Sequence, residues 1–415
     1  MKYHQRILEN KILEYFETFS CLLVAGARQA GKSTVLQELF SNKIKMFTFD
    51  PAQDLYGEKA DPDLFLRNNP HPLILDEIQY APGLAASLKR YVDQKRTNSM
   101  FIMTGSQQWH VMKSLSESMA GRIAMIELQP FSLSETFEVS GLSWFPAWLD
   151  TVRQDVNKAD EFLLSGRSYG LSPAKTIWRG SFPEVQRLKE KMIPAWMQGY
   201  VSTYLQRDVR SMMDVRDEGR FAAFLSLCVA LTGQESNYSQ IGRDIGLSTP
   251  TARRWLDILR GTFQWLEVPA YSTNQIKKLS QKPKGYLMDT GLASYLLRIS
   301  SPEALSGHPS FGALFETFMV MELYKQVQTM TLAPVFYHFR LHSGAEVDLV
   351  LELDGKLFPV EIKSSSRAGP KDAGGMRRMR ELLPGSVGPG ILIYAGDKPV
   401  RIDESCIAVP FDLCV

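Results

Sequence analysis

The sequence predicts an α/β chain of more than one domain: a parallel-sheet domain first, then a helical middle segment holding a winged helix-turn-helix, then a C-terminal α/β domain. Three observations carry that class. Short apolar runs alternate with segments of helical period up to about residue 130, the pattern of a parallel sheet covered on both faces. From about Pro194 to Gly261 the period is helical throughout. From about Gly285 strands return, and two apolar runs there flank Asp354-Gly355, a strong signal for a two-residue hairpin turn.

A chain of 415 residues is too long for one ordinary core, which sets two to three domains as the expectation, here 1–180, 181–284 and 285–415. Hydrophobic content of 44% with 22% charge excludes a disordered chain. Charges at Lys2, Arg6, Glu9, Lys11, Glu14 and Glu17 break up the first residues, so these form neither a signal segment nor a membrane span, and a cytoplasmic protein is expected. Cys21, Cys228, Cys406 and Cys414 fit neither a zinc spacing nor a disulfide framework and are read as reduced and mostly buried. The net charge of +2 is nearly neutral, but residues 239 to 284 hold eight Lys/Arg against three Asp/Glu and residues 356 to 380 hold seven against two. Two basic patches are therefore expected.

The first apolar strand, Cys21–Gly26, runs into Gly26-Ala27-Arg28-Gln29-Ala30-Gly31-Lys32-Ser33, with Thr34 next, and a helical segment follows. GxxxxGK[ST] in that context is a Walker A loop. The two glycines let successive N–H groups turn inward, and the helix N-terminus adds positive potential, so a polyphosphate would be held mainly by backbone. Lys32 is expected at the β- and γ-phosphates of ATP and Ser33 on Mg²⁺, with Thr34 a bystander by position. A second apolar strand ends in Asp76-Glu77, at the carboxyl end where open parallel sheets place ligands. Asp76 is the expected Walker B partner of Mg²⁺. Glu77 is chosen to polarise the attacking water.

These motifs resemble those of the AAA+ superfamily, which uses the same Asp-Glu pair. The resemblance implies a polar sensor at the end of the next strand, where Thr104 and Ser106 both stand, capping hydroxyls being the plain alternative. It also implies an arginine finger reaching a neighbouring subunit, and hence a homo-oligomer. Arg122 and Arg207 are both candidates, and either could instead be an ordinary helix-end arginine.

In the middle segment, Ile241 and Ile245 make a short apolar face, Gly246 is placed to stop a helix, and Thr249-Pro250 starts another. That helix buries Ala252, Trp255, Leu256 and Leu259 and leaves Arg253, Arg254, Asp257 and Arg260 on other faces, with Gln264 to Tyr271 as the wing. The arginines, together with Lys277, Lys278, Lys282 and Lys284, would contact DNA phosphates and base edges. A lid or subunit contact with solvated charges is the competing reading.

Counting outward from the Asp354-Gly355 turn brings Asp348 opposite Glu361 and Glu346 opposite Lys363. Facing carboxylates destabilise a hairpin unless a cation or proton joins them, so a divalent metal is expected there. Glu361 and Lys363 share a face, which would set metal ligands beside an ammonium able to act on water or phosphate. Pro359 in the second strand suggests an edge or a bulge. The Asp-x₁₂-Glu-Ile-Lys spacing resembles the PD-(D/E)XK nuclease superfamily, which implies a restriction-endonuclease-like fold and an added acid from the preceding helix, here Glu316. His338 and His342 are left out of the site. An amphipathic hairpin with solvated acids is the plain alternative.

The whole chain resembles a bacterial and archaeal family of AAA-type ATPases with a nuclease-like C-terminal domain, through Trp178 to Glu184, Tyr204 to Asp208 and Leu287 to Leu292. The expectation is an ATP-hydrolysing DNA-binding protein whose nucleotide state controls a metal-dependent nuclease-like domain. The alternative is a non-cutting ATP switch that binds DNA or a protein partner through the same modules.

Overall fold

The structure, a computed structural model, describes residues 2–41, 43–106, 119–210, 218–272, 282–341 and 344–415. Lys277, Lys278 and His342 lie outside the described residues. The chain divides into two compact units, one of residues 1–131 with 258–264 and one of residues 132–257 with 265–415.

The first unit is built on five strands, β1 (Cys21–Ala25), β2 (Lys45–Thr48), β3 (Leu73–Asp76), β4 (Phe101–Gly105) and β5 (Ile123–Glu127). They lie in the order β2-β3-β4-β1-β5 and every pair is parallel. β1, β3 and β4 are buried from end to end, which is why they read as unbroken apolar runs. On one face, Leu22, Val24, Ile74, Ile102 and Ile126 meet Ile12 and Phe16 of the helix Glu9–Thr18 and Val35, Leu36 and Phe40 of the helix Lys32–Phe40. The second helix is thereby fixed with its N-terminus at the carboxyl edge of β1.

In the second unit, β6 (Arg167–Ser168) pairs with β16 (Leu413–Cys414), far ahead in the chain. Three short strands, β7 (Gln234–Glu235), β8 (Trp265–Val268) and β9 (Lys284–Leu287), form an antiparallel sheet in the order β7-β9-β8. Between β7 and β8 stand the helices Tyr238–Asp244 and Thr249–Gly261. Six further strands, β10 (Val335–Arg340), β11 (Glu346–Leu353), β12 (Lys356–Lys363), β13 (Gly390–Tyr394), β14 (Val400–Asp403) and β15 (Cys406–Pro410), form a mixed sheet in the order β10-β11-β12-β13-β15-β14. Its core joins Val347, Val350, Leu357, Leu392 and Ala408 to Met376 and Met379 of the helix Gly374–Leu382.

The β11–β12 hairpin has the register read from its turn, from Leu353 opposite Lys356 to Leu349 opposite Val360. Asp354 and Gly355 both adopt positive φ, as a two-residue turn requires. Pro359 corrects one expectation: β12 lies between β11 and β13, with no register shift at the proline. The Leu357 N–H, on the same strand edge, donates to Ser386 O, and pairing with β13 begins only at Val360. The proline thus sits just before the second ladder starts, where its missing N–H leaves no strand partner unpaired. The pairs Asp348 opposite Glu361 and Glu346 opposite Lys363 are a second correction, because the ladder ends after Leu349 and Val360 and the Ile362 N–H turns to the Asp348 carboxylate at 2.9 Å. Cys21, Cys228 and Cys406 are buried thiols and none of the four cysteines is bridged. Among the described residues no helix is long and apolar enough to cross a membrane.

Gly375 sets how closely the helix Gly374–Leu382 approaches β11, since a Cβ there would stand 1.8 Å from Glu346 O, a backbone atom that cannot rotate away. Gly374 has nothing within 4 Å. Gly375→Ala is expected to destabilise the second unit by about 1–3 kcal/mol in denaturant unfolding. Gly374→Ala should leave the midpoint unchanged or raise it slightly.

Candidate functional site

The loop after β1 is held from below by its own backbone and by a residue that no sequence motif marks. Arg6 is buried and donates to Ala30 O at 2.9 Å and to Gln129 O at 2.6 Å, with its guanidinium over the Phe131 ring. Gly26 is at φ +154, and a Cβ on it would meet Leu128 O at 2.1 Å, so the loop leaves the strand where only glycine fits. Gly31, at φ +92, and Gln29, at φ 64, complete the turn of Ala27, Arg28, Gln29 and Ala30. Lys32 is buried and donates to Gly26 O at 3.0 Å and Ala27 O at 2.9 Å, which folds its ammonium back over the loop. The helix it opens has no acidic residue in its first turn, so its positive end is uncompensated there.

β3 delivers Asp76 beside that loop. Its carboxylate is buried, and three hydroxyls donate to it: Ser33 at 3.0 and 3.1 Å, Thr48 from the register partner on β2 at 3.2 Å, and Thr104 from β4 at 2.5 Å. Thr104 also accepts the Glu77 N–H at 3.1 Å. Because its single proton goes to Asp76, Thr104 as placed orients the two acids and has no proton left to orient a water. Glu77 stands in left-handed backbone at φ 57, a conformation rare outside glycine. Gln79 holds its carboxylate through Nε2 at 2.5 Å, and the same nitrogen lies 3.4 Å from Ser106 Oγ. Thr34 points to solvent. Arg122 is ion-paired with Asp93 of its own chain, and Arg207 is exposed in the π-helical turn Tyr204–Val209.

A hydroxyl beside a carboxylate, at the foot of a helix N-terminus, is a donor set suited to Mg²⁺ carried by a polyphosphate. That ion takes few protein ligands and keeps phosphate and water oxygens for the rest. Ser33 and Asp76 are the residues that would hold it.

The second cluster lies in the other unit. The helix Phe311–Val327 brings Glu316, β11 brings Glu346 and Asp348, and β12 brings Glu361 and Lys363. The expected convergence of Glu316, Asp348, Glu361 and Lys363 is therefore present. What the sequence did not show is Lys284, from β9. It corrects the assignment of that lysine to a solvated DNA-contacting patch, because its side chain is 3% exposed. Its ammonium lies 3.0 Å from Glu316, 2.8 Å from Glu346 and 3.5 Å from Asp348. Tyr286, two residues on and on the same strand face, donates to Glu316 at 2.8 Å. Lys363 lies 2.5 Å from Glu361 and 3.7 Å from Asp348. Gly285, between the two, faces the other way, where a Cβ would strike the Trp265 ring at 2.0 Å.

Four carboxyls thus share two ammonium groups. Burial, with the charge of Asp348 adding to it, pushes the Glu316 carboxyl up to about 7 and that of Glu361 up to about 8. Burial works to lower Lys284, but Glu316, Asp348 and Glu346 together outweigh it and hold the ammonium above the ordinary lysine value. The Glu361 Oε2 atom is buried with no hydrogen-bond partner. Among the described residues no group of three or more His, Cys, Asp or Glu is placed to hold a metal ion. The expected set of Glu316, Asp348 and Glu361 therefore does not fit a divalent cation as arranged, because Lys284 lies between two of its members. His338 is buried against Lys282 O at 3.0 Å and has no hydrogen bond or ion pair to any of the four carboxyls.

On the helix Thr249–Gly261 the expected faces are observed: Ala252, Trp255, Leu256 and Leu259 are buried while Arg253, Arg254 and Arg260 are exposed. Gly246 turns the chain at φ +67, and the Arg253 guanidinium lies over the Tyr238 ring, 5.3 Å from its centroid.

Three family profiles match the chain: an AAA domain over residues 18–137, a domain of unknown function (DUF8612) over 172–303, and a domain of unknown function (DUF4143) over 311–414. The uncharacterized protein Rv2008c of Mycobacterium tuberculosis is 30% identical over 396 residues, which is 94% of this chain and 80% of that protein. The uncharacterized protein Mb2031c of Mycobacterium bovis matches to the same extent, at 30% identity over 396 residues. Among solved structures, the Walker-type ATPase PABY2304 of Pyrococcus abyssi is similar with a TM-score of 0.42 and 15% identity, covering 71% of this chain and 96% of that one.

The protonated carboxyls give the second unit a pH dependence of definite sign. In the native state Glu316 and Glu361 keep protons that an unfolded chain releases near 4.5, so the folded form binds more protons between that value and about 7 and about 8. Their contribution to stability is complete below 4.5 and is lost as the pH rises through the native values. Melting followed from about pH 5 to about pH 9 is expected to fall towards the alkaline end, and Glu361→Gln should flatten the part of that slope above neutrality.

Proposed function

The chain belongs to the family of those two mycobacterial proteins and carries an AAA P-loop ATPase domain, and on that premise we propose that it is an ATP-hydrolysing switch that binds DNA and does not itself cut it. The observation that carries the ATPase part is the convergence of Ser33, Thr48 and Thr104 on Asp76, with Glu77 tied to the same threonine. A carboxylate fixed this way stands ready to receive Mg²⁺ with its oxygens already aimed, which avoids reorganisation on binding.

In this reading Lys32 would leave its loop carbonyls for the terminal phosphates, Ser33 and Asp76 would hold Mg²⁺, and Glu77 would accept a proton from the attacking water. Thr104 and Gln79 are positioning residues, one for both acids and one for the Glu77 carboxylate. Arg6 keeps the loop at the right height through Ala30. Mg²⁺, when bound, supplies charge neutralisation at the phosphates.

DNA is proposed as the partner because a helix-turn-helix with exposed Arg253 and Arg254 is followed by the β8–β9 pair in the place of a wing. The non-cutting form is favoured over a metal-dependent nuclease because an ammonium stands among the acids that a nuclease would use for its metal.

Two experiments test the parts separately. Lys32→Ala is expected to abolish nucleotide binding, whereas Glu77→Gln should retain it and slow hydrolysis by roughly 10²–10⁴-fold; hydrolysis at the parent rate in Glu77→Gln rejects the assigned base. For DNA, Arg253→Ala and Arg254→Ala together should weaken duplex binding and reduce its salt slope by about one for each phosphate no longer neutralised. Mg²⁺-dependent cleavage that disappears in Glu361→Ala would replace the switch with a nuclease.

A further inference from the structure

The C-terminal cluster has the makings of a cation site in every respect but one. Three backbone segments remote in sequence converge there, and all the acids except Glu346 are mostly buried. Glu361 is 6% exposed, and its Oε2 has no hydrogen-bond partner. A buried, unbonded carboxylate oxygen beside another carboxylate is costly, and a structure retains it only where a proton or a cation offsets the repulsion. Two cations are present: the Lys363 ammonium, 2.5 Å from Glu361, and the Lys284 ammonium on Glu316, Glu346 and Asp348, delivered from a strand outside the six-stranded sheet.

An ammonium and a divalent ion differ in ways that the geometry registers. An ammonium donates hydrogen bonds at about 2.8–3.0 Å and has one charge, whereas Mg²⁺ or Mn²⁺ draws carboxylate oxygens to about 2.0–2.2 Å and has two. Lys284 meets Glu346 at 2.8 Å and Glu316 at 3.0 Å, which are hydrogen-bond distances, and its Asp348 contact is 3.5 Å. Tyr286 gives Glu316 a further proton, so that carboxyl is oriented by β9 twice over. Placing a divalent ion among Glu316, Asp348 and Glu361 would set two positive groups in one small space, so one would have to leave.

We propose that Lys284 is a tethered cation, which takes the place of a divalent ion between Glu316 and Asp348 and so keeps the cluster metal-free. Its removal converts the cluster into a divalent-cation site with Glu316, Asp348 and Glu361 as ligands. β9 also pairs with β7 and β8 around the helix-turn-helix. The occupant of the C-terminal cluster is thereby set by the strand that closes the neighbouring three-stranded sheet. The role of Lys284 is the same whether or not the first unit hydrolyses ATP.

The test uses the full chain without nucleotide, titrated with Mn²⁺ alone and followed by calorimetry and by melting temperature. The wild type, compared with Asp348→Asn, is expected to show no Mn²⁺ binding that depends on Asp348. Lys284→Ala should bind one further Mn²⁺ at least tenfold more tightly than the wild type, a difference of about 1.4 kcal/mol, and Lys284→Ala with Asp348→Asn should lose it. Lys284→Arg keeps the charge and should bind none. Should Lys284→Ala fail to fold, Lys284→Met preserves the length of the side chain, and the wild-type comparison still decides. Asp348-dependent binding in the wild type, or no gain on removing the lysine, would overturn the proposal.

Discussion

A carboxylate taken out of water must be given protons to share, and both units of this chain are organised around that requirement. Asp76 ends a strand buried along its whole length, and Asp348, Glu316 and Glu361 lie where six strands and a helix exclude solvent. Burying carboxyl groups is costly unless hydrogen bonds or opposite charges meet them. The neighbouring side chains are arranged accordingly: hydroxyls on β2, on β4 and at the foot of the Walker helix, and ammonium groups on β9 and β12.

The two solutions have different consequences. Hydroxyls carry no net charge, so the three donors on Asp76 hold its oxygens still without adding a positive charge beside them. Lysines carry charge, so the C-terminal acids are partly neutralised within the fold by Lys284 and Lys363. Asp76 is met by neutral donors, whereas the C-terminal cluster is met by lysines and still leaves Glu361 Oε2 without a hydrogen-bond partner. This contrast separates a P-loop site from a scaffold of similar residue types better than the residue types themselves.

The parallel sheet was legible because β1, β3 and β4 are buried on both faces and cannot be confused with amphipathic segments, and the Walker residues follow from spacing on those strands. The hairpin was legible too, since Asp354-Gly355 fixes a two-residue turn and the register follows by counting. That count failed where a side chain intervened: the Asp348 carboxylate captured the Ile362 N–H and ended the ladder. Lys284 was misread because composition counts it with Lys277, Lys278 and Lys282, and no local period marks it as buried. A sequence signal was available in Lys284-Gly285-Tyr286, where alternation puts the lysine and tyrosine on one face and leaves only glycine beneath Trp265 on the other. Arg6 could not be foreseen at all, since its partners at Ala30 and Gln129 are backbone carbonyls far away in the chain.

The β6–β16 pairing ties Ser168 to Leu413, and the Asp412 carboxylate reinforces it by accepting from Ser168 Oγ at 2.8 Å and Leu171 N at 2.7 Å. The same segment reaches Gly141, where the Val415 N–H donates to Gly141 O at 3.3 Å. A contact of such long sequence separation forms slowly, because nearly all of the intervening chain must be ordered before it is rewarded. During synthesis on the ribosome, residues 141–171 therefore emerge long before the strand that completes their surroundings. They stay without those partners until residues 412–415 have been made.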